Sequence, residues 1–391
     1  MTLNIQTVPE IENIPESKRV PILRACEGKE DLANLAAGNP DMEMPDFITE
    51  RLKEHIKTGL MPYTHYYGLP KLRTALSQNL EDEWRIKANP ETELLITIGV
   101  SEALYLIMRT ILHPGDEILL PSPHYGSYYQ NCIACGAKPV LVPLDEQNNF
   151  DPDFDLTEKA ITPKTKALLF CNPNNPLGTV WSKEILEKLA EFALRHDLII
   201  LMDEIYREFT FYDEPFSIGS IPEMRDRTFT LGGFSKSYMM MGLRTGFVTG
   251  PAAVMEAVKK LHYCITFCCP ISGQIGALAA LECPTEEMAR IKADFKNRIE
   301  VLYQAVISIS GVTCAQPKGA FYIFPNFSAF GKSAMDLAID MIEKANVIAL
   351  PGTEFGELGE SHLRLSVCAR PDRIKLGISR LQEYATKYLK N

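Results

Sequence analysis

The chain has no surplus of positive charge: Lys and Arg number 40 against 50 Asp and Glu, a net charge of −10. That balance argues against a nucleic-acid footprint and against an anionic membrane partner. A long uninterrupted apolar run is also missing. The best candidate, residues 264–281, contains Pro270, Ser272, Gly273 and Gln274, and it reads as a buried connection and helix rather than a membrane span. Residues 1–16 carry acidic groups and no apolar core, so no signal peptide is expected and a cytoplasmic location is. No internal repeat or low-complexity segment is visible. Ten cysteines are present but irregularly spaced. Cys132-x-x-Cys135 lacks a second pair at zinc-finger distance, so reduced, buried thiols and no metal site are expected.

What the chain does have is length and alternation. Its 391 residues exceed one typical core. Few regular signals precede residue 46, apart from a short strand over 32–40 that ends in a Gly-Asn-Pro turn. Helices are predicted over 45–58 and 70–84, and a strand over 94–98 passes through Gly99 into a helix reaching Leu112. Strands follow at 117–120, 138–142, 166–171, 198–202, 228–231 and 244–249, with helices over 125–135 and 182–196 and again from Pro251. Such alternation implies a largely parallel sheet covered on both faces, whose ligands lie at the carboxyl ends of the strands. Gly99, Tyr125, Asn175, Asp203 and Lys236 each sit just after a strand. From Thr285 a long helix to Ile309, strands over 320–324, 347–350 and 362–368, and helices over 334–344 and 372–389 make a smaller α/β unit. The expected division is an arm over 1–46, a large domain over 47–284 and a small domain over 285–391.

One stretch organises the rest: Gly232-Gly233-Phe234-Ser235-Lys236-Ser237, continuing to Gly242-Leu243-Arg244-Thr245-Gly246. A lysine among small and hydroxylated residues between two apolar runs is placed for chemistry rather than for solvent. Lysine condenses with aldehydes, and pyridoxal phosphate is the common aldehyde cofactor that needs such a partner. Ser235 and Arg244 would then suit its phosphate. The strand-Gly99-helix passage is a second anion site, because a helix N-terminus offers free N–H groups and a positive dipole end. Each signal alone is weak; exposed lysines and glycine turns are common.

Asn172-Pro-Asn-Asn-Pro-Leu-Gly178 and Met202-Asp-Glu-Ile-Tyr-Arg207 complete an ordered set of motifs. Together they closely resemble the class I/II aminotransferases, which are fold-type I PLP-dependent enzymes, over a span from about Leu32 to the C-terminus. The resemblance implies a three-layer α/β sandwich with a mostly parallel sheet plus a smaller C-terminal α/β domain. It implies that Lys236 bonds the cofactor and then moves the substrate's Cα proton, that Asp203 pairs with the pyridinium nitrogen, and that Tyr206 and Asn175 donate to the phenolic oxygen. Phosphate falls to Val100, Ser101, Ser235 and Arg244, and ring stacking to Tyr125. Tyr63 matches a tyrosine that reaches the phosphate across a dimer interface, so a homodimer with shared sites is implied, with Thr266 near that interface. Arg364 matches the clamp on the substrate α-carboxylate, and Gly38 belongs to the loop closing over it.

Several positions depart from the family's pattern. Leu177 stands where threonine is common, Gly233 where many members have a phosphate-binding serine, and Leu243 where an aromatic often precedes the arginine; Met239 to Met241 soften the segment after the lysine. His65 and His124 flank the expected pocket, where either could face substrate, although a surface or core position is the commoner outcome for a histidine. The leading function is a ping-pong transfer of the α-amino group of an L-amino acid to a 2-oxo acid. A lyase, cyclase or oxidase acting on a basic or hydroxylated amino acid is the alternative on the same scaffold. A cofactor-binding transcriptional regulator is not expected, because residues 1–46 are short for a DNA-binding domain and lack a basic recognition helix. No second arginine can be assigned to a distal carboxylate.

Overall fold

The structure is a computed structural model that describes residues 6–389; the outermost ends of the expected arm and small domain, residues 1–5 and 390–391, lie outside it. Two short helices, α1 (Pro9–Glu12) and α2 (Arg19–Cys26), precede β1 (Ala33–Asn34), α3 (Asp46–Lys57), α4 (Pro70–Trp84), β2 (Leu94–Thr97) and α5 (Gly99–Ile111). Then come β3 (Glu117–Ser122), α6 (Gly126–Ala134), β4 (Lys138–Asp145), β5 (Asp151–Pro152), α7 (Phe154–Lys159), β6 (Thr165–Cys171), α8 (Lys183–Arg195) and β7 (Ile199–Asp203). The middle closes with β8 (Thr228–Gly233), β9 (Gly246–Thr249), α9 (Ala252–Ile265) and α10 (Ile271–Ala280). Beyond it lie α11 (Thr285–Ile307), β10 (Tyr322–Ile323), α12 (Ala334–Ala345), β11 (Val347–Ile348), β12 (Leu350–Pro351), β13 (Leu363–Ser366) and α13 (Pro371–Tyr388).

Eight strands form one sheet in the order β2-β9-β8-β7-β6-β3-β4-β5. The four pairings from β8 through β7, β6 and β3 to β4 are parallel, whereas β9 runs antiparallel to both its neighbours and β5 antiparallel to β4. Strands β3, β6, β7 and β8 are buried along nearly their whole length, as a sheet covered on both faces requires, whereas β4 buries only Val142 and Leu144. Packing falls into separate apolar clusters. One gathers Leu104, Ile107 and Met108 of α5 and Met255 and Val258 of α9, another Leu186, Leu189 and Phe192 of α8, and a third Leu72, Leu76 and Leu80 of α4 with Ala277 and Ala280 of α10.

Local chemistry sets the helix ends. Pro70 occupies the first turn of α4, where its missing N–H costs nothing, and Arg85 terminates that helix at φ 59. Ser182 and Ser333 cap α8 and α12 by accepting from the N–H groups of Ile185 and Asp336.

Three differences from the sequence reading carry meaning. The strand expected over 32–40 shrinks to Ala33–Asn34 and pairs in parallel with β11, while Asp31 takes Arg373 and Arg380 of α13. The single strand expected over 347–350 divides, because β11 pairs with β1 and β12 with β13 in a three-stranded sheet. Helix α2 was not anticipated at all. Among the described residues no helix is long and apolar enough to cross a membrane.

Candidate active site

A cavity of about 590 Å³ opens beyond the carboxyl ends of the sheet strands. Except for Tyr63, every residue assigned above to the cofactor or substrate lines it: Gly38, Val100, Ser101, Tyr125, Asn175 and Asp203, with Tyr206, Ser235, Lys236, Arg244 and Arg364. These come from positions far apart in sequence that share one property. They follow strand ends, stand just before β9 in the case of Arg244, or belong to β13 and the loop after β1.

The anion cradle is built on close backbone approach. Gly99 turns from β2 into α5 at φ +71, and a Cβ there would lie 2.7 Å from Arg244 Nη2. Gly246 faces it; a Cβ on that residue would meet the Gly99 carbonyl carbon and the Val100 nitrogen at 2.8 and 2.9 Å. Two glycines therefore let the first turn of α5, with its free N–H groups, close against the guanidinium of Arg244. Arg244 takes φ 52 and donates from Nη1 to the Met241 carbonyl at 3.2 Å. Glu102 anchors the turn: it accepts from the Ile98 N–H at 2.5 Å, pairs with His262 Nδ1 at 3.0 Å, and accepts from Thr266 Oγ1. Thr266, expected at an interface, is thus tied to α5 within its own chain.

Asp203 ends β7, almost wholly buried. Its Oδ1 accepts from the Ile205 N–H at 3.0 Å and its Oδ2 from Tyr128 Oη at 2.7 Å. It caps no α-helix. Burial pushes its carboxyl up to about 6, while Tyr128, the Ile205 N–H and the charge of Lys236 act in the opposite direction. A carboxylate with both oxygens anchored and no counterion of its own suits a protonated ring nitrogen. Tyr128 escaped the sequence reading, although its spacing of three from Tyr125 places both on one helix face; the two rings meet edge to face at 5.4 Å.

Lys236 lies three residues beyond β8, and its Nζ donates to the Gly38 carbonyl at 2.8 Å. Desolvation lowers its pKa, and the positive charges of Arg364, Arg244 and Arg19 act in the same direction. A lysine depressed in this way is a better nucleophile at neutral pH. Tyr206 Oη hydrogen-bonds Tyr322 Oη at 2.9 Å and receives Asn175 Nδ2 at 3.5 Å. Arg364 donates from Nη1 to Asn175 Oδ1 at 3.1 Å and from Nη2 to the Ala36 carbonyl at 2.6 Å, with its guanidinium 4.3 Å from the Tyr322 ring centroid. Its Nε is buried and finds no partner among the described residues. A buried guanidinium with a spare donor and no carboxylate of its own asks for an anionic ligand. The anion cradle, the anchored carboxylate, the depressed lysine and the orphaned arginine donor fit pyridoxal phosphate and an amino-acid carboxylate.

Other expected positions fall elsewhere. Tyr63 is 83% exposed and packs edge-on to Phe267 outside the cavity. His65 and His124, expected to flank the pocket, do not line it. His65 Nδ1 lies 3.3 Å from Arg73 Nη1. His124 is buried, donates from Nδ1 to the Tyr125 carbonyl at 3.1 Å, and stacks on Tyr129. Leu177 packs in the core, and a Cβ at Gly233 would approach Ile205 and the Gly246 backbone at 3.1–3.2 Å, which leaves little room for serine. Met241 lines the cavity. The further lining residues that were missed include Tyr322, inside an apolar run that reads as plain core, and Arg19, on the unforeseen helix α2.

Residues 30–381 match the family described as aminotransferase class I and II. The chain is similar to aromatic-amino-acid aminotransferase 2 of Thermococcus litoralis, at 35% identity over 95% of this chain and 96% of that one. It is equally similar, at 35% over 91% and 92%, to an aspartate aminotransferase of Pyrococcus abyssi. Among solved structures, the aromatic aminotransferase of Pyrococcus horikoshii superposes with a TM-score of 0.89 at 32% identity, covering 94% of this chain and 99% of that chain.

Proposed function

The chain belongs to the class I and II aminotransferases, and from that premise we propose how its residues divide the work of amino transfer. It is a pyridoxal-phosphate-dependent enzyme that moves an amino group from an amino acid to a 2-oxo acid; elimination, cyclisation and oxidation give way to transfer, the activity for which these relatives are named. The cofactor supplies an aldehyde that takes up amino groups and a ring that draws electrons from the substrate's Cα. Lys236 Nζ would hold that aldehyde and serve as the base for the Cα proton. Asp203 would keep the ring nitrogen protonated. Asn175 and Tyr206 would donate to the phenolic oxygen, Tyr125 would stack on the ring, and Val100, Ser101, Ser235 and Arg244 would hold the phosphate. Arg364 takes the substrate α-carboxylate beneath the Gly38 loop. The observation that carries this reading is the convergence of Lys236, Asp203 and Arg364 on one cavity.

The test is a half-reaction. With an amino acid and no 2-oxo acid, the loaded enzyme is expected to release one equivalent of the matching 2-oxo acid and stop, then resume when 2-oxoglutarate or pyruvate is added. Sustained turnover without an acceptor would sink amino transfer. In the same reading, Arg364→Ala weakens amino-acid binding by about 2–5 kcal/mol, because the substrate carboxylate loses its buried partner. Titration of the loaded protein checks this, and an unchanged Kd would place the carboxylate elsewhere.

Tyr63 serves the phosphate of a second copy in this proposal, which its exposure and its place outside its own cavity support. The assembly is then a homodimer with shared sites. Hybrid dimers of a Tyr63→Phe chain and a Lys236→Ala chain are expected to regain one intact site. Proven hybrids with no gain over either parent would remove Tyr63 from the site. We propose further that the arm, large domain and small domain divide near residues 47 and 285. Cytoplasmic location is proposed on the ten thiols, all free, several of which burial makes hard to ionise.

A further inference from the structure

Tyr322 lines the cavity and has no work in the reading above, although the groups around it do. It opens β10 opposite Ser366 of β13 and is 1% exposed. The loop over 174–178 lies directly on its backbone: a Cβ on Gly178 would stand 2.1 Å from the Tyr322 carbonyl oxygen. Its ring carries the Arg364 guanidinium at 4.3 Å from the centroid, and its Oη lies 2.9 Å from Tyr206 Oη. A Cβ on Gly38 would come within 2.7 Å of the same Oη. One phenol therefore meets the carboxylate clamp, the Gly38 loop and the tyrosine assigned to the cofactor's phenolic oxygen.

Which hydroxyl donates follows from a count of donors. A hydroxyl offers one proton and two acceptor sites. Arg364 has donors only and bonds the Asn175 amide at Oδ1, so Nδ2 is the atom that faces Tyr206 Oη, at 3.5 Å. Asn175 thus fills one acceptor site of Tyr206. The other partner of Tyr206 is Tyr322, whose Oη bonds no further group among the described residues. The Arg364 charge on the face of Tyr322 favours the ionised form of that phenol and makes it the better donor of the two. Burial pushes the Tyr322 hydroxyl up to about 12 with the Arg364 charge acting against it, whereas burial raises Tyr206 well above its ordinary value and Tyr322 raises it further. With Tyr322 donating, both acceptor sites of Tyr206 are filled and its single proton is left for the cavity.

We propose that Tyr322 is a positioning residue: by donating to Tyr206 it turns the Tyr206 proton toward the phenolic oxygen of the cofactor. This deepens the amino-transfer reading and rests on it. A phenol that accepts two hydrogen bonds donates more strongly through its own proton, because each bond polarises the next. Without the Tyr322 hydroxyl, Tyr206 regains a free acceptor site and its proton is no longer held to one direction. A donor on the phenolic oxygen competes with the proton shared between that oxygen and the nitrogen joining Lys236 to the cofactor, so it lowers the pH at which that proton leaves.

Absorbance titration of the cofactor-loaded protein reads that pH as a midpoint, with no turnover involved. Tyr206→Phe is expected to raise the midpoint, and Tyr322→Phe to raise it by about 0.5–1 pH unit, the worth of one hydrogen bond. In a Tyr206→Phe background, Tyr322→Phe is expected to move it by less than about 0.3 pH unit, because the hydroxyl it acts through is gone. A Tyr322→Phe midpoint at the wild-type value overturns the proposal. So does an equal shift with and without the Tyr206 hydroxyl, which would mean that Tyr322 acts by another route. Phenylalanine keeps the ring beside Arg364 and Tyr206. If the variant nevertheless fails to fold, Gly38→Ala, whose Cβ would crowd Tyr322 Oη, is expected to raise the midpoint by displacing the hydroxyl, and an unmoved midpoint there counts against the proposal in the same way. If Tyr206→Phe itself leaves the midpoint in place, Tyr206 is not at the phenolic oxygen and the underlying reading falls. If Tyr206→Phe moves it and Tyr322→Phe does not, only the role of Tyr322 is lost.

Discussion

Lys236→Ala is expected to abolish the yellow absorbance of the covalently held cofactor and to lower the amino-transfer rate by about 10⁴-fold or more. Two separate jobs end together: the bond to the aldehyde and the transfer of the Cα proton, the latter alone worth about 10²–10⁴-fold. The rest of the site should persist. Arg244, Ser101 and the first turn of α5 are held by Glu102 and by the Gly99–Gly246 contact, none of which involves the lysine. Cofactor should therefore still bind, reversibly and without exchange by an added amine. In the cofactor-free protein Lys236 Nζ donates to the Gly38 carbonyl, so there the variant also frees the loop over the cavity. The measurement is an absorbance spectrum of the reconstituted variant beside a single-turnover assay. Wild-type turnover in the variant, or a wild type that stays colourless after reconstitution, would end the assignment of Lys236.

Asp203→Asn is expected to slow Cα proton exchange by about 10³-fold, the scale of removing one preorganised charge from a water-poor site, with a smaller loss of cofactor affinity. Without cofactor the same substitution should act in the opposite sense on stability. The folded-state pKa of Asp203 is raised from the ordinary carboxyl value to about 6, chiefly by burial. A raised folded pKa contributes stability that is fully present below the unfolded pKa, near 4, and is lost as pH rises through about 6. Above pH 6 the cofactor-free wild type carries a buried anion at a cost of up to ~3 kcal/mol, the equivalent of about two pH units. The asparagine never ionises. Cofactor-free Asp203→Asn should therefore be more stable than wild type at pH 8, with the advantage shrinking toward pH 4. Denaturant titrations of both proteins without cofactor at the two pH values check this. A difference independent of pH would mean that Asp203 is not held as a strained anion, and wild-type proton exchange in the loaded variant would remove it from the ring nitrogen.

Most of the core scaffold was legible before any coordinates because its signals are local. Pro70 and Gly99 begin helices for reasons internal to the backbone, and apolar runs such as 166–171 and 198–202 are long enough to name buried strands. The ordered motifs around Asn175, Asp203 and Lys236 also named the chemistry, since those side chains sit at strand ends in any sheet of this kind. Helix α2 was not legible. It is only eight residues long, it leaves Val20 and Leu23 exposed, and its start is fixed by Glu354, more than 300 positions away. The split of 347–350 between two sheets depends likewise on the distant partners β1 and β13.

The residue types proposed for the reacting centre, a lysine, an aspartate and two arginines in a fixed order along the chain, are legible in the sequence alone, because covalent bonding, ring protonation and carboxylate binding would each demand a particular functional group. Their states were decided only by tertiary structure. Asp203 is pushed up by a cavity wall that no neighbour in sequence provides and is anchored by Tyr128, 75 residues before it. Whether His65 or His124 faces the substrate, whether Gly233 can carry a side chain, and whether Arg19 reaches the cavity are likewise questions of what packs within a few ångströms. Burial and Coulomb energies depend on those short distances, and contacts brought together by folding do not appear in the order of the residues.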